Sequence, residues 1–181
     1  RIGGHRIAIA VAPSNNDVIY LTGANDITGN CTGVWKSLDN GYNWSRISPF
    51  ESATFAPFKN QGLYSMFLAV PPANANTCFI GGTKMYQYNN LTGWTDAASH
   101  SLIPGFSTRY VPVPQLTIAF APNSDSTFYV GTDMEIVRST TLGRTYSSKT
   151  KGFNNAHLYG ISASPSWRIL VSDRFSGLAM K

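Results

Sequence analysis

The stretch Ser37-Leu38-Asp39-Asn40-Gly41-Tyr42-Asn43-Trp44 sets a compact polar turn between two short apolar runs. Asp39 and Asn40 can hydrogen-bond nearby backbone groups, and Gly41 can take a positive φ at no steric cost. The preceding Gly33-Val34-Trp35-Lys36 has strand composition, and Trp44 opens a second strand with a large apolar anchor. The stretch therefore predicts the tip of a β-hairpin.

The turn recurs in weaker form. Ser139-Thr140-Thr141-Leu142-Gly143-Arg144-Thr145-Tyr146 keeps the Ser, the Gly, a Thr and a final aromatic, with Thr141 in the place of the Asp. The two turns start about a hundred positions apart, which is two repeats of about fifty residues. A second signal has a similar period. Small apolar runs end at Pro13, Pro72, Pro122 and Pro165, and each leads through a polar turn into a β-branched or aromatic run ending in Gly or Ser. Proline stops the first strand of each unit because it cannot donate to the ladder. The continuity of these first runs predicts strands buried on both faces.

With 43% hydrophobic and 13% charged residues in 181, the chain has the makings of a core and not of disorder. Its 16 Gly, 10 Pro and 13% aromatics favour short strands and tight turns over a helical bundle. The formal charge of +5 is scattered, and its densest spot, Arg144 with Lys149 and Lys151, reads as a solvated edge, so nucleic acid is not an expected partner. No run is long and apolar enough to predict a membrane span. Cys31, in a Gly/Asn/Thr loop, and Cys78, in a hydrophobic strand, lack metal-ligand spacing and are not expected to pair.

The octapeptide Ser-x-Asp-x-Gly-x-(Thr/Asn)-Trp at 37–44 resembles the Asp-box, or BNR repeat, of β-propeller blades, with Asn43 where Thr is usual. Together with the runs Gln115–Pro122, Tyr129–Asp133, Val137–Ser139 and Leu158–Pro165, it is similar to sortilin-like, xyloglucanase-like and sialidase-like secreted propellers. The resemblance implies an all-β fold: one partial β-propeller domain over 1–181, with about three and a half four-stranded blades of a ring of six or more. The blades fall at about 6–48, 63–98, 115–150 and 158–181, the last cut off as its third strand begins. The rest of the propeller, or a partner chain, would close the ring. A structural box is implied at Ser37, Asp39, Gly41, Asn43 and Trp44, and a second at Ser139, Gly143, Thr145 and Tyr146. At Asn89–Gly93 it is eroded to a plain turn. The insertion 24–32 reads as an exposed loop, and the aromatic link 48–62 as a segment lying over a rim.

The box specifies fold, not chemistry. Sialidases have an arginine triad and an Arg-Ile-Pro entry motif, which this chain lacks. A two-carboxylate glycosidase needs an acid and a base or nucleophile across a cleft. With Asp39 in the box, Asp17 and Asp125 in turns and Asp96 in an outer strand, the carboxylates left are Asp26, Glu51, Asp133, Glu135 and Asp173. Asp26, Asp133 and Asp173 follow second strands, and their composition fits turn-formers better than catalysts. No catalytic residue is therefore assigned. His5, His100 and His157 have no partner at metal-ligand spacing, so neither metal nor cofactor is expected. The function expected is a binding or scaffold module of a secreted or cell-surface protein, with a glycan or an extended peptide as ligand. The alternative is part of a glycoside hydrolase acting on polysaccharide. The sequons at Asn30, Asn43 and Asn90 are compatible with an extracellular location.

Overall fold

The structure, a computed structural model, describes residues 6–98, 108–122 and 124–151, and the backbone of the strands at 158–163, 169–173 and 177–180. The chain divides into two compact units, Arg1–Lys149 and Thr150–Lys181. Among the described residues there are strands and turns and no helix.

The first unit holds three antiparallel four-stranded meanders. Sheet one is β1 (Arg6–Ala12), β2 (Asn15–Ala24), β3 (Cys31–Ser37) and β4 (Ser45–Arg46). Sheet two is β5 (Phe67–Ala69), β6 (Thr77–Gly81), β7 (Tyr86–Asn89) and β8 (Gly93–Asp96). Sheet three is β9 (Gln115–Phe120), β10 (Phe128–Thr132), β11 (Ile136–Ser139) and β12 (Ser147–Ser148). In each meander the first and third turns share one end of the sheet and the second turn lies at the other.

Register exposes a chemical repeat that the sequence pattern hides. Across sheet one, Ala10, Tyr20, Lys36 and Ser45 stand opposite one another. Across sheet two the row is Ala69, Phe79, Gln87 and Thr95, and across sheet three Ala119, Tyr129, Arg138 and Ser147. Each is alanine, aromatic, polar or cationic side chain, hydroxyl. Residues opposite in register share a face, and the next residue along each strand belongs to the other face. That other face is apolar: Leu68, Ile80 and Tyr86 in sheet two, Ile118, Val130 and Val137 in sheet three.

The core forms where the row of one sheet meets the apolar face of the next. Tyr20 packs with Val70, Cys78, Tyr88 and Trp94. Phe79 packs with Phe120 and Phe128 at centroid distances of 6.0 and 5.1 Å. The 48–62 link goes deeper than a rim. Phe55 and Phe58 are buried, and Phe55 lies 4.8 Å from the Tyr86 ring and 5.0 Å from Trp94, while Phe50 stays exposed.

Two expectations are corrected. Burial on both faces does not hold for every first strand: β5 has no exposed residue, but in β1 and β9 exposed residues alternate with covered ones, and Ile7, Ile9 and Val11 are 53%, 60% and 47% exposed. Among the described residues of the first unit no sheet covers that side of sheet one. Cys31 is not in a loop but begins β3 and is buried, because a register shift between Gly23 and Ala24 lets β2 keep pairing through Cys31.

The second unit is a three-stranded antiparallel sheet, β13 (Leu158–Ala163), β14 (Ile169–Asp173) and β15 (Gly177–Met180). The third strand, expected only to be starting, is formed and pairs from Gly177 opposite Asp173 to Met180 opposite Leu170.

Candidate functional site

The 37–44 turn is built around two side chains. The Ser37 hydroxyl accepts from the Gly41 amide at 2.9 Å and donates to Asp39 Oδ1 at 2.8 Å. Asp39 Oδ1 also accepts from the Asn43 amide, and Oδ2 from the Asn43 side chain at 2.7 Å. These bonds to Asn43 and Ser37 hold the Asp39 carboxyl below the usual carboxylate range. Asn40 and Gly41 take φ of 55° and 89°, the left-handed region that Asn and Gly tolerate.

The 139–146 turn repeats this with a hydroxyl in place of the carboxylate. Ser139 Oγ accepts from the Gly143 amide at 2.9 Å, and Thr141 Oγ1 accepts from the Thr145 amide at 2.9 Å. Thr141→Asp places a stronger acceptor at the position of Asp39 and is expected to raise the unfolding midpoint. Ser37→Ala strands the Gly41 amide beneath a buried side chain and is expected to cost about 1–3 kcal/mol in urea unfolding.

The aromatic closing each turn reaches across to the preceding sheet. Trp94 donates its indole N–H to the Ile47 carbonyl at 2.8 Å, and the Tyr146 hydroxyl donates to the Ala97 carbonyl at 2.8 Å. Ile47 and Ala97 each lie three residues beyond the aromatic of their own sheet. Trp44 donates instead within its own turn, to the Gly41 carbonyl at 2.9 Å.

Lys36 gave no signal in the sequence. It is 6% exposed, lies over the Tyr20 ring at 5.2 Å, and donates to Asn76 Oδ1 at 3.3 Å and Asn90 Oδ1 at 3.1 Å, both in turns of sheet two. Burial pushes its ammonium below the usual lysine range. A groove of about 470 Å³ opens beside it between sheets one and two, lined in part by Asp39, Asn43, Ser45, Tyr88 and Asn90. A smaller one of about 230 Å³ lies between sheets two and three, lined in part by Gln87, Asp96, Arg109 and Arg144.

The carboxylate candidates sit elsewhere. Asp26 is exposed in the β2–β3 loop, and Asp133 is half-buried in the β10–β11 loop, at the opposite end of their sheets from the two box-like turns. In both loops the residue before the carboxylate accepts turn bonds. Asn25 Oδ1 accepts from the Ile27 and Thr28 amides, and Thr132 Oγ1 from the Met134 and Glu135 amides. Glu51 accepts from the Cys31 amide, and Asp125 from the Ala73 amide. Asp173 ends β14, but its side chain, like His5, His100 and His157, lies outside the described residues. Among the described residues no cluster of His, Cys, Asp or Glu could hold a metal ion, and no helix is long and apolar enough to cross a membrane.

Both cysteines are free and buried. Burial pushes the Cys31 thiol from 9.0 up to about 11 and raises Cys78 further. Tyr20 and Tyr146 are raised by burial as well. Raised pKa values contribute stability that is whole below the unfolded values and is lost as pH climbs toward the folded ones. Lys36 acts oppositely but alone. The unfolding midpoint is therefore expected to fall above about pH 9. At pH 8 a thiol-disulfide dye should label neither cysteine in the native chain and both in urea.

The stacked meanders have solved counterparts. A GH74 enzyme of Niastella koreensis matches over 96% of this chain and 22% of its own, with 15% identity and a TM-score of 0.52. A GH74 xyloglucanase of Xanthomonas campestris matches over 96% and 28%, with 18% identity and a TM-score of 0.56. YCF48 bound to D1 peptide matches over 96% and 50%, with 13% identity and a TM-score of 0.51. The chain has the fold of a β-propeller segment. At these identities the likeness fixes the fold alone, and the segment spans half or less of each of those chains. No family model matches the sequence, and no curated protein matches it.

Proposed function

We propose that the chain is a segment of a secreted or cell-surface Asp-box β-propeller that acts as a binding and scaffold module. The observation that carries this reading is the 470 Å³ groove at the box end of sheets one and two. Its amides, hydroxyl, ammonium and Tyr88 ring suit the alternating carbonyl, hydroxyl and apolar surface of a glycan or an extended peptide. Asp39, Glu51 and Asp125 are meanwhile engaged by backbone amides. The location rests on the resemblance to secreted propellers rather than on the sequons, since the Asn43 and Asn90 side-chain amides donate to Asp39 and Asn76.

The likeness to the two GH74 enzymes favours a second reading, part of a glycoside hydrolase, in which Asp26, Asp133 or Asp173 supplies one carboxylate. Glycan and peptide arrays probed with the chain separate the two. Binding that is lost in Ser45→Trp, which fills the groove from an exposed position, supports the module. Array silence together with sugar release from xyloglucan that stops in Asp26→Asn, Asp133→Asn or Asp173→Asn supports the hydrolase instead.

A further inference from the structure

The exposed side of sheet one is chemically the same surface that sheets two and three bury. Through the rows, Ile9 corresponds to Leu68 and Ile118, Leu21 to Ile80 and Val130, Trp35 to Tyr86 and Val137, and Trp44 to Trp94 and Tyr146. Ile80 and Val130 are fully buried, and Tyr86 and Val137 nearly so. Ile7, Ile9 and Val11 are about half exposed, and the Trp44 indole donates within its own turn where its counterparts cross to another sheet.

The turns beside that surface say what covers it. Lys36 of sheet one is received by Asn76 and Asn90 of sheet two. Asn76 stands two residues before Cys78, and Asn90 two after Tyr88; the matching positions in sheet one, two before Ile19 and two after Ser37, are Asp17 and Asp39. Two neutral amides that receive a cation are replaced by two carboxylates, of which Asp17 is exposed.

We infer that a further four-stranded blade of the same polypeptide docks on Ile7, Ile9 and Val11, presenting an alanine–aromatic–Lys/Arg–hydroxyl row whose cation reaches Asp17 and Asp39. The inference rests on the propeller-segment reading and adds to it the face, the partner and its charge. The solved counterparts favour covalent continuity, since their single chains extend well past the part this segment matches. A second copy offering its last sheet would bring Met180, in register with Leu170, to the cation's position. The docked blade also supplies the carbonyl that the Trp44 indole then reaches, three residues beyond its own box aromatic.

The test has two arms in the full-length polypeptide. Its sequence outside these residues should encode a blade with Lys or Arg immediately before the residue matching Ser37, as Lys36 and Arg138 stand before Ser37 and Ser139. Asp17→Lys should then lower the melting temperature, and reversing that cation to Glu in the same chain should restore at least half of the shift. An apolar or acidic residue at that place, no further blade, or strictly additive shifts overturns the inference. So does self-association of the 181-residue chain that Ile9→Asp abolishes, which assigns the face to a second copy. The absence of any further blade would sink the propeller-segment reading as well; the other outcomes leave it intact, and glycan or peptide binding stands or falls on the arrays.

Discussion

Replacing Phe128 by alanine is expected to destabilise the first unit by about 3–5 kcal/mol, the usual cost of emptying a well-filled aromatic site. Phe128 is fully buried, with the rings of Phe79, Phe120 and Tyr146 at centroid distances of 5.1, 5.3 and 6.0 Å. These rings come from sheets two and three, so the cavity opens at the seam between sheets and neither backbone can collapse into it without breaking a ladder. Urea unfolding followed by tryptophan fluorescence gives the number. Phe50→Ala is the control: that ring is exposed and meets the Arg46 guanidinium, so its loss should stay within about 1 kcal/mol. A loss at Phe128 as small as at Phe50 means that the sheets do not share a core.

The second large effect is expected at Gly29. Its φ of 67° lies in the left-handed region, and a Cβ there would run into the Asn60 carbonyl. The same backbone ties the β2–β3 loop to the link between sheets: the Gly62 amide donates to the Gly29 carbonyl at 2.9 Å, and the Asn60 amide to Asn30 Oδ1 at 2.9 Å. Gly29→Ala thus combines backbone strain of about 1–2 kcal/mol with overpacking of about 1–3 kcal/mol. Gly93→Ala separates the two terms, because Gly93 has φ of 72° but open space around its Cβ position. It should show the strain alone.

What could be read from the sequence follows from range. Turn chemistry is local, so Ser37, Asp39 and Gly41 announce their turn, and the Pro-terminated runs announce the repeat. β15 escaped because a four-residue strand that opens on Gly carries too little pattern to separate it from a tail. Cys31 looked like loop because Gly29, Asn30 and Thr32 surround it, and only pairing with Ala24 shows it to be a strand residue. Burial of Lys36 was invisible for the same reason: Asn76 and Asn90, its acceptors, lie 40 and 54 residues away. The alanine–aromatic–polar–hydroxyl row is likewise a property of register, and no window along the chain contains it.

Sheets two and three each lay their apolar face on the row of the sheet before, fastened by an aromatic donor to a carbonyl. A nuclear Overhauser spectrum of the 181-residue chain tests this arrangement directly. Contacts from the Trp94 indole proton to Ile47, from the Tyr146 ring to Ala97, and from Phe79 to Phe120 and Phe128 are the predicted result. Contacts from Phe120 or Phe128 to Tyr20 in place of Phe79, as two facing layers would give, would contradict it.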